Sequence, residues 1–152
     1  CYQIGRSYFM IEEYETASKY FEEAMNFDLN ISLEYVKDLV ENYGYSLVNT
    51  GRYKEAMKLL NMYDEFSDSA DFVFLVAIIY MNNGYFEKAI SEYKKAADME
   101  RCKVEGVSSY LSNYNIGVIY ECLGDKKNAL NYYRKAIGYE LADQRARNLE
   151  SN

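Results

Sequence analysis

Covalent chemistry needs nucleophiles, bases or metal ligands at fixed spacings, and this chain offers few. It has no histidine, which removes the commonest general base and metal ligand. Its three cysteines, Cys1, Cys102 and Cys122, stand far apart, in no zinc-site spacing and in no disulfide framework. They read as reduced thiols of an intracellular chain. Cys122 falls in an apolar stretch of helical period, which predicts a buried and inert thiol. The carboxylate pairs Glu12–Glu13 and Glu22–Glu23 fall on what helical spacing makes the wet face. Asn30-Ile31-Ser32 has the letters of a glycosylation acceptor, a use foreign to a bacterial or cytosolic chain. There is no glycine-rich phosphate loop and no nucleophile elbow. No catalytic, cofactor-binding or metal-binding residue is assigned, and the chain is expected not to be an enzyme.

What remains is chemistry of recognition. Aromatic residues make up 16% of the chain, with 18 Tyr, 7 Phe and no Trp. Tyr packs a ring while keeping its hydroxyl wet, so it serves a core and a binding surface equally. The net charge of −7 disfavours nucleic acid and anionic membrane surfaces, which both need clustered Lys and Arg. No basic run exceeds a pair such as Lys94–Lys95 or Lys126–Lys127. The longest apolar run, Phe72–Met81, is about half a membrane span. The expected partner is therefore a protein or peptide, with no nucleic acid and no membrane span, in the cytoplasm. The chain starts at Cys rather than Met and reads as a piece of a longer protein.

The elements that would present such a surface are helical. Proline is absent, strand-like alternation is missing, and Ala, Leu, Glu, Lys and Tyr recur at spacings of three and four. The pattern also repeats. "GYFEKAISEYKKA" (Gly84–Ala96) aligns with "EEYETASKYFEEA" (Glu12–Ala24), "GRYKEAMKLLNMY" (Gly51–Tyr63) and "GDKKNALNYYRKA" (Gly124–Ala136). The anchoring alanines Ala17, Ala56, Ala89 and Ala129 are 39, 33 and 40 residues apart. Each copy follows a second pattern, a small residue three before a large one: Gly5 and Tyr8, Gly44 and Leu47, Ala77 and Tyr80, Gly117 and Tyr120. The small residue lets a partner helix approach, and the large one fills the space beside it. In the following helix Phe21, Leu60, Tyr93 and Tyr133 supply bulk four residues after each alanine. Gly51, Gly84 and Gly124 mark the turns, with Glu12 in the first copy.

These residues resemble the tetratricopeptide repeat family. The resemblance implies an all-α, right-handed α-α superhelix of four helix-turn-helix repeats with a C-terminal capping helix. It implies one repeat domain over 1–152, with units near 1–29, 32–68, 70–101 and 107–139 and a cap at 140–151. First helices are expected near 1–11, 32–49, 70–82 and 107–122. Second helices are expected near 14–27, 53–65, 86–99 and 126–138. The family's closing proline is replaced by Leu29, Asp68, Arg101 and Leu141. Tyr63 stands where the second helix ordinarily ends on Ala, so the second repeat should pack loosely or bend. Two separations exceed the family's repeat of about 34 residues. The first helices of repeats two and four are accordingly expected to start about a turn early.

In such repeats the first helices build the inner wall. Transferred by alignment, a partner-binding groove comprises Tyr2, Arg6, Phe9 and Met10, then Glu41, Tyr45, Val48 and Asn49, with Asp38 beside them. It continues with Phe74, Ile78, Met81 and Asn82, flanked by Asp71, and with Tyr114, Val118 and Glu121, flanked by Leu111. Arg6 is the one basic residue, so the family's carboxylate clamp is not expected. The groove's middle is apolar and aromatic, which suits an amphipathic helix or an extended apolar segment. The leading expectation is a non-catalytic interaction scaffold; self-association into a homo-oligomer is an alternative filling of the groove. More narrowly, "KVEGVSSYLSNYNIGVIYECLGD" (Lys103–Asp125), "DLNISLEYVKDLVENYGYSLVNTGRY" and "DSADFVFLVAIIYMNNG" resemble the repeat region that follows a family-2 glycosyltransferase domain in clostridial-type bacterial proteins. That implies an accessory module, recruiting the acceptor or joining subunits, with the catalytic domain upstream. A peptide-sensing regulator is the third reading.

Overall fold

Helix-forming composition without proline leads to helices throughout. The computed structural model describes residues 1–27, 29–30 and 32–151, and every regular element among them is helical. Asp28 and Ile31, which fall in the extra stretch before the second repeat and in the Asn30–Ser32 triplet, lie outside the described residues. The chain divides into two compact units, Cys1–Ser67 and Asp68–Asn152, each holding two of the four expected hairpins.

In the N-terminal unit, α1 (Tyr2–Met10) and α2 (Tyr14–Met25) form the first hairpin. Gly5 is buried under the Phe21 ring, and a β-carbon there would lie 2.8 Å from it. This is the close helix approach that the small–large spacing predicts. The turn ends α1 with Glu12 in the left-handed region, φ 62°. The Glu12 N–H donates to the Phe9 carbonyl and the Glu13 N–H to the Tyr8 carbonyl, both at 3.0 Å. That double bond pattern closes a helix by satisfying its last carbonyls. It recurs at Gly51–Arg52, Gly84–Tyr85 and Gly124–Asp125, where each glycine also has positive φ.

The second hairpin begins with α3 (Glu34–Asn49), 16 residues long against 13 in the first helices of the C-terminal unit. Its partner is not one helix. It is α4 (Tyr53–Ala56), a 3-10 helix (Met57–Met62) and α5 (Tyr63–Phe66) in succession. The irregularity expected at Tyr63 is present and extends back to Met57. It also corrects a packing assignment, because Leu59 is 2% exposed and buried, whereas Leu60 is half-buried. The reason is geometric. A 3-10 helix turns three residues per turn, so the side chain beneath Ala56 is three residues on rather than four.

The C-terminal unit runs α6 (Ala70–Asn82), α7 (Phe86–Ala97), α8 (Tyr110–Cys122), α9 (Lys126–Lys135) and α10 (Glu140–Glu150). Ser69 caps α6, its hydroxyl accepting from the Phe72 N–H at 3.2 Å, and Asp125 caps α9 through the Asn128 N–H at 3.1 Å. Gly117 lies under the Tyr133 ring, 2.6 Å from where its β-carbon would stand. The fourth repeat's first helix does not start early. Residues before Tyr110 form turns, with Gly106 at φ 89° and Ser109 outside the helical region. The Asp71 carboxylate of α6 holds this loop by accepting the Lys103 N–H at 2.7 Å and the Val104 N–H at 2.9 Å. The extra residues thus build an anchored loop instead of a longer helix.

Cys122 is exposed, not buried. It lies five residues after Gly117, about 140° around the helix from the face that meets Tyr133. Helix α10 covers the end of the unit as expected of a cap. Ala142 joins a core of Ala129, Tyr133 and Ala136, with Ala146 and Leu149 packed against it. Arg145 pairs with Glu121 at 2.9 Å and Arg134 with Glu150 at 2.5 Å.

Candidate functional site

The turn after each first helix fixes where that helix ends, and so which side chains stand near its end. In the N-terminal unit Arg6 and Met10 are exposed, Met10 by 72%. Phe9 is half-buried, its ring edge-on to Tyr14 at 5.4 Å and tilted against Phe21 at 6.3 Å. Tyr2 is also half-buried, between Phe21 at 6.3 Å and Tyr35 at 5.8 Å. On α3, Tyr45 and Val48 are half-buried and Asn49 is exposed. The Asn49 side-chain amide donates to the Tyr45 carbonyl at 2.8 Å, closing the helix end locally.

In the C-terminal unit Ile78 and Met81 are half-buried and Asn82 is exposed. Asn82 repeats the Asn49 arrangement by donating to the Ile78 carbonyl at 2.9 Å. The Met81 sulfur accepts from the Tyr93 hydroxyl at 3.7 Å. Tyr93 is fully buried, and burial pushes its phenol up from the ordinary value. Tyr114 packs against the rings of Tyr133 at 5.8 Å and Tyr139 at 5.3 Å, and Val118 packs on the same core. Leu111 is half-buried.

Two groove assignments and a flanking one are corrected by burial. Phe74 is 6% exposed and meets the Tyr93 ring edge-on at 5.4 Å. Glu41 is 6% exposed and Asp71 4%, the latter spent on the loop backbone. The cause is the breadth of the buried arcs. Helix α6 buries Ala70 through Ala77 together with Ile79, and α3 buries eight residues around a wide face. A helix apolar on all sides has no open face to read from periodicity.

With Glu41 and Asp71 buried, Asp38 and Glu121 remain, both half-buried, and Glu121 is committed inside the unit. It accepts from the Tyr133 hydroxyl and from Arg145. Burial and the Glu121 carboxylate push the Tyr133 phenol up, and Tyr133 in turn helps raise the Arg145 guanidinium. At the groove positions the first helices leave mainly apolar, aromatic and amide-bearing side chains reachable, together with Arg6 and the half-buried Asp38 and Glu121. This arrangement can take up apolar side chains and bond a peptide backbone. Among the described residues no group of His, Cys, Asp or Glu could hold a metal ion.

Comparison with known proteins agrees with the repeat geometry. The tetratricopeptide repeat family matches residues 1–31, 70–101 and 110–143, more than half of the chain. The chain belongs to the tetratricopeptide repeat family. The matched segments pass over residues 32–69, where the 3-10 helix interrupts the second hairpin. Among solved structures, MamA from Desulfovibrio magneticus RS-1, from residue 41 to its end, is similar with a TM-score of 0.75. The two are 20% identical over 93% of this chain and 74% of that one, a likeness of fold alone. No curated protein sequence matches the chain. Among the described residues no helix is long and apolar enough to cross a membrane.

A cleft that the sequence did not reveal lies on second helices. Lys94, Lys135 and Tyr132 form it with Asn113 of α8.

Proposed function

We propose that the chain is a non-catalytic scaffold that binds a protein or peptide partner through the reachable residues of its first helices. In the N-terminal unit these are Arg6, Phe9, Met10, Tyr45, Val48 and Asn49. In the C-terminal unit they are Ile78, Met81 and Asn82. The observation that supports this reading best is family membership combined with half-buried apolar side chains at corresponding positions of successive first helices. Val48 and Met81 stand next to Asn49 and Asn82, each amide anchored to its own helix. Such a surface suits the apolar side of an amphipathic helix or extended segment. With Arg6 as its one cation it does not suit capture of a free carboxylate. The partner is sought by affinity capture from the native host, with Ile78→Glu as the paired control. Capture of the same proteins in equal amount by both forms would end this reading.

A narrower reading makes the chain an accessory module of a family-2 glycosyltransferase. It rests on the sequence resemblance centred on Lys103–Asp125. The full-length gene tests it: a transferase domain upstream supports it, and a gene without one removes it. Self-association is tested separately by sedimentation at increasing protein concentration.

A further inference from the structure

A second binding feature lies on the second helices, apart from the surface proposed above. Lys94 in the last turn of α7 and Lys135 at the end of α9 both lie against the ring of Tyr132. Their ammonium groups are 5.7 Å and 4.4 Å from the ring centroid. Tyr132 is itself fixed, being 9% exposed and stacked on Tyr120 at 5.7 Å with 24° between the planes. The three side chains line a cleft of about 280 Å³ with Asn113, Ala97 and Asp98.

The electrostatics of this cleft are unusual for the chain. Nearly all of the net −7 belongs to Cys1–Ser67, whereas cations and carboxylates nearly balance in Asp68–Asn152. Arg134 and Arg145 are held in ion pairs. Lys94 and Lys135 form none among the described residues and have the Tyr132 ring as their partner. An aromatic face orients an ammonium through its quadrupole without neutralising its unit charge as a carboxylate partner would. Two such charges on one rigid ring make a preorganised site for negative charge.

We propose that this cleft binds an acidic peptide segment of a protein partner. A compact multiply charged anion is the poorer fit. Asp98 shares the lining and the cleft sits at the C-terminal ends of α7 and α9, whose dipoles oppose negative charge, and they oppose charge concentrated on one small anion more than charge spread along a chain. A peptide spreads its carboxylates along a chain, so each meets one ammonium. Its main chain is also matched by the Asn113 amide, which both donates and accepts.

The test titrates the full chain, labelled with ¹⁵N, with an acetylated and amidated hexaglutamate peptide. Saturable shifts are expected at the Lys94, Ala97 and Lys135 amides and at the Asn113 side chain, weakening as salt is raised. Lys94→Glu with Lys135→Glu should weaken binding about tenfold or more while the circular dichroism spectrum is unchanged, both lysines being exposed. If that variant fails to fold, Lys94→Gln with Lys135→Gln replaces it, with the same loss expected. Absence of shifts at these residues overturns the proposal, as does binding that survives both substitutions. Equal saturable shifts with inorganic phosphate alone overturn the assignment to a peptide. Shifts confined to Ile78, Met81 and Asn82 would assign the peptide to the first-helix surface instead.

Discussion

Glu12 carries the clearest local strain. Three of the four hairpin turns place glycine in the left-handed region, and the first places Glu12 there at φ 62°. A side chain in that region crowds its own carbonyl, and glycine does not. Glu12→Gly should therefore stabilise the N-terminal unit by about 0.5–1 kcal/mol after the extra entropy of an unfolded glycine is counted. A raised urea midpoint at constant slope would show it. At Gly117 the opposite holds, because a β-carbon would stand 2.6 Å from the buried Tyr133 ring. Gly117→Leu should cost upwards of about 1–3 kcal/mol, read as loss of α8 and α9 from hydrogen-exchange protection. Asp125 adds a pH dependence. Bonds from the Asn128 side chain and N–H hold its carboxyl below the ordinary value. A depressed folded-state value contributes stability above the ordinary carboxylate range and loses it as pH falls through the lowered value. Asp125→Ala should lower the melting temperature at neutral pH, and the gap to the wild type should close in acid.

At the scale of elements, the hairpins were legible because each rests on local signals: Gly5 against Phe21, Gly117 against Tyr133, a turn residue before each second helix. The interruption of the second hairpin was legible only in part. Tyr63 pointed to irregular packing, but nothing in the spacing of Met57–Met62 distinguishes a 3-10 helix from an α-helix. Alignment with three regular copies therefore put Leu60 in the core. The structure instead makes Leu59 the buried residue at 2% exposure. This register can be measured directly. Leu59→Ala should cost about 2–5 kcal/mol, as for a fully buried leucine, and Leu60→Ala distinctly less. Equal losses, or a larger loss at Leu60, would mean that an α-helical register prevails in solution. The loop before α8 was illegible for a different reason. Its order depends on Asp71, more than thirty residues earlier, whose carboxylate accepts two backbone N–H groups. A long-range anchor of that kind has no periodic signature, and alignment instead put Asp71 at the flank of the groove.

At the scale of the whole molecule, function depends on which side chains the stacked helices leave reachable, and periodicity alone decides that poorly. Phe74 and Ile78 are four residues apart and so share one face of α6. Local spacing accordingly assigns them the same role. Burial separates them: Phe74 is 6% exposed against Tyr93, and Ile78 is half-buried next to the exposed end of the helix. The two substitutions should therefore part company. Phe74→Glu places an unpaired carboxylate against a buried aromatic ring, a cost of several kcal/mol that a domain of marginal stability does not survive. It should abolish the cooperative transition of the C-terminal unit. Ile78→Glu can turn its carboxylate to water, so helical content and melting should persist while capture of the partner falls. If Phe74→Glu folds and loses capture like Ile78→Glu, the ring belongs to the binding surface and the arc buried on α6 is narrower than described. If Ile78→Glu unfolds the unit instead, the reachable surface of α6 contracts to Met81 and Asn82. A partner would then meet α6 at its C-terminal end alone.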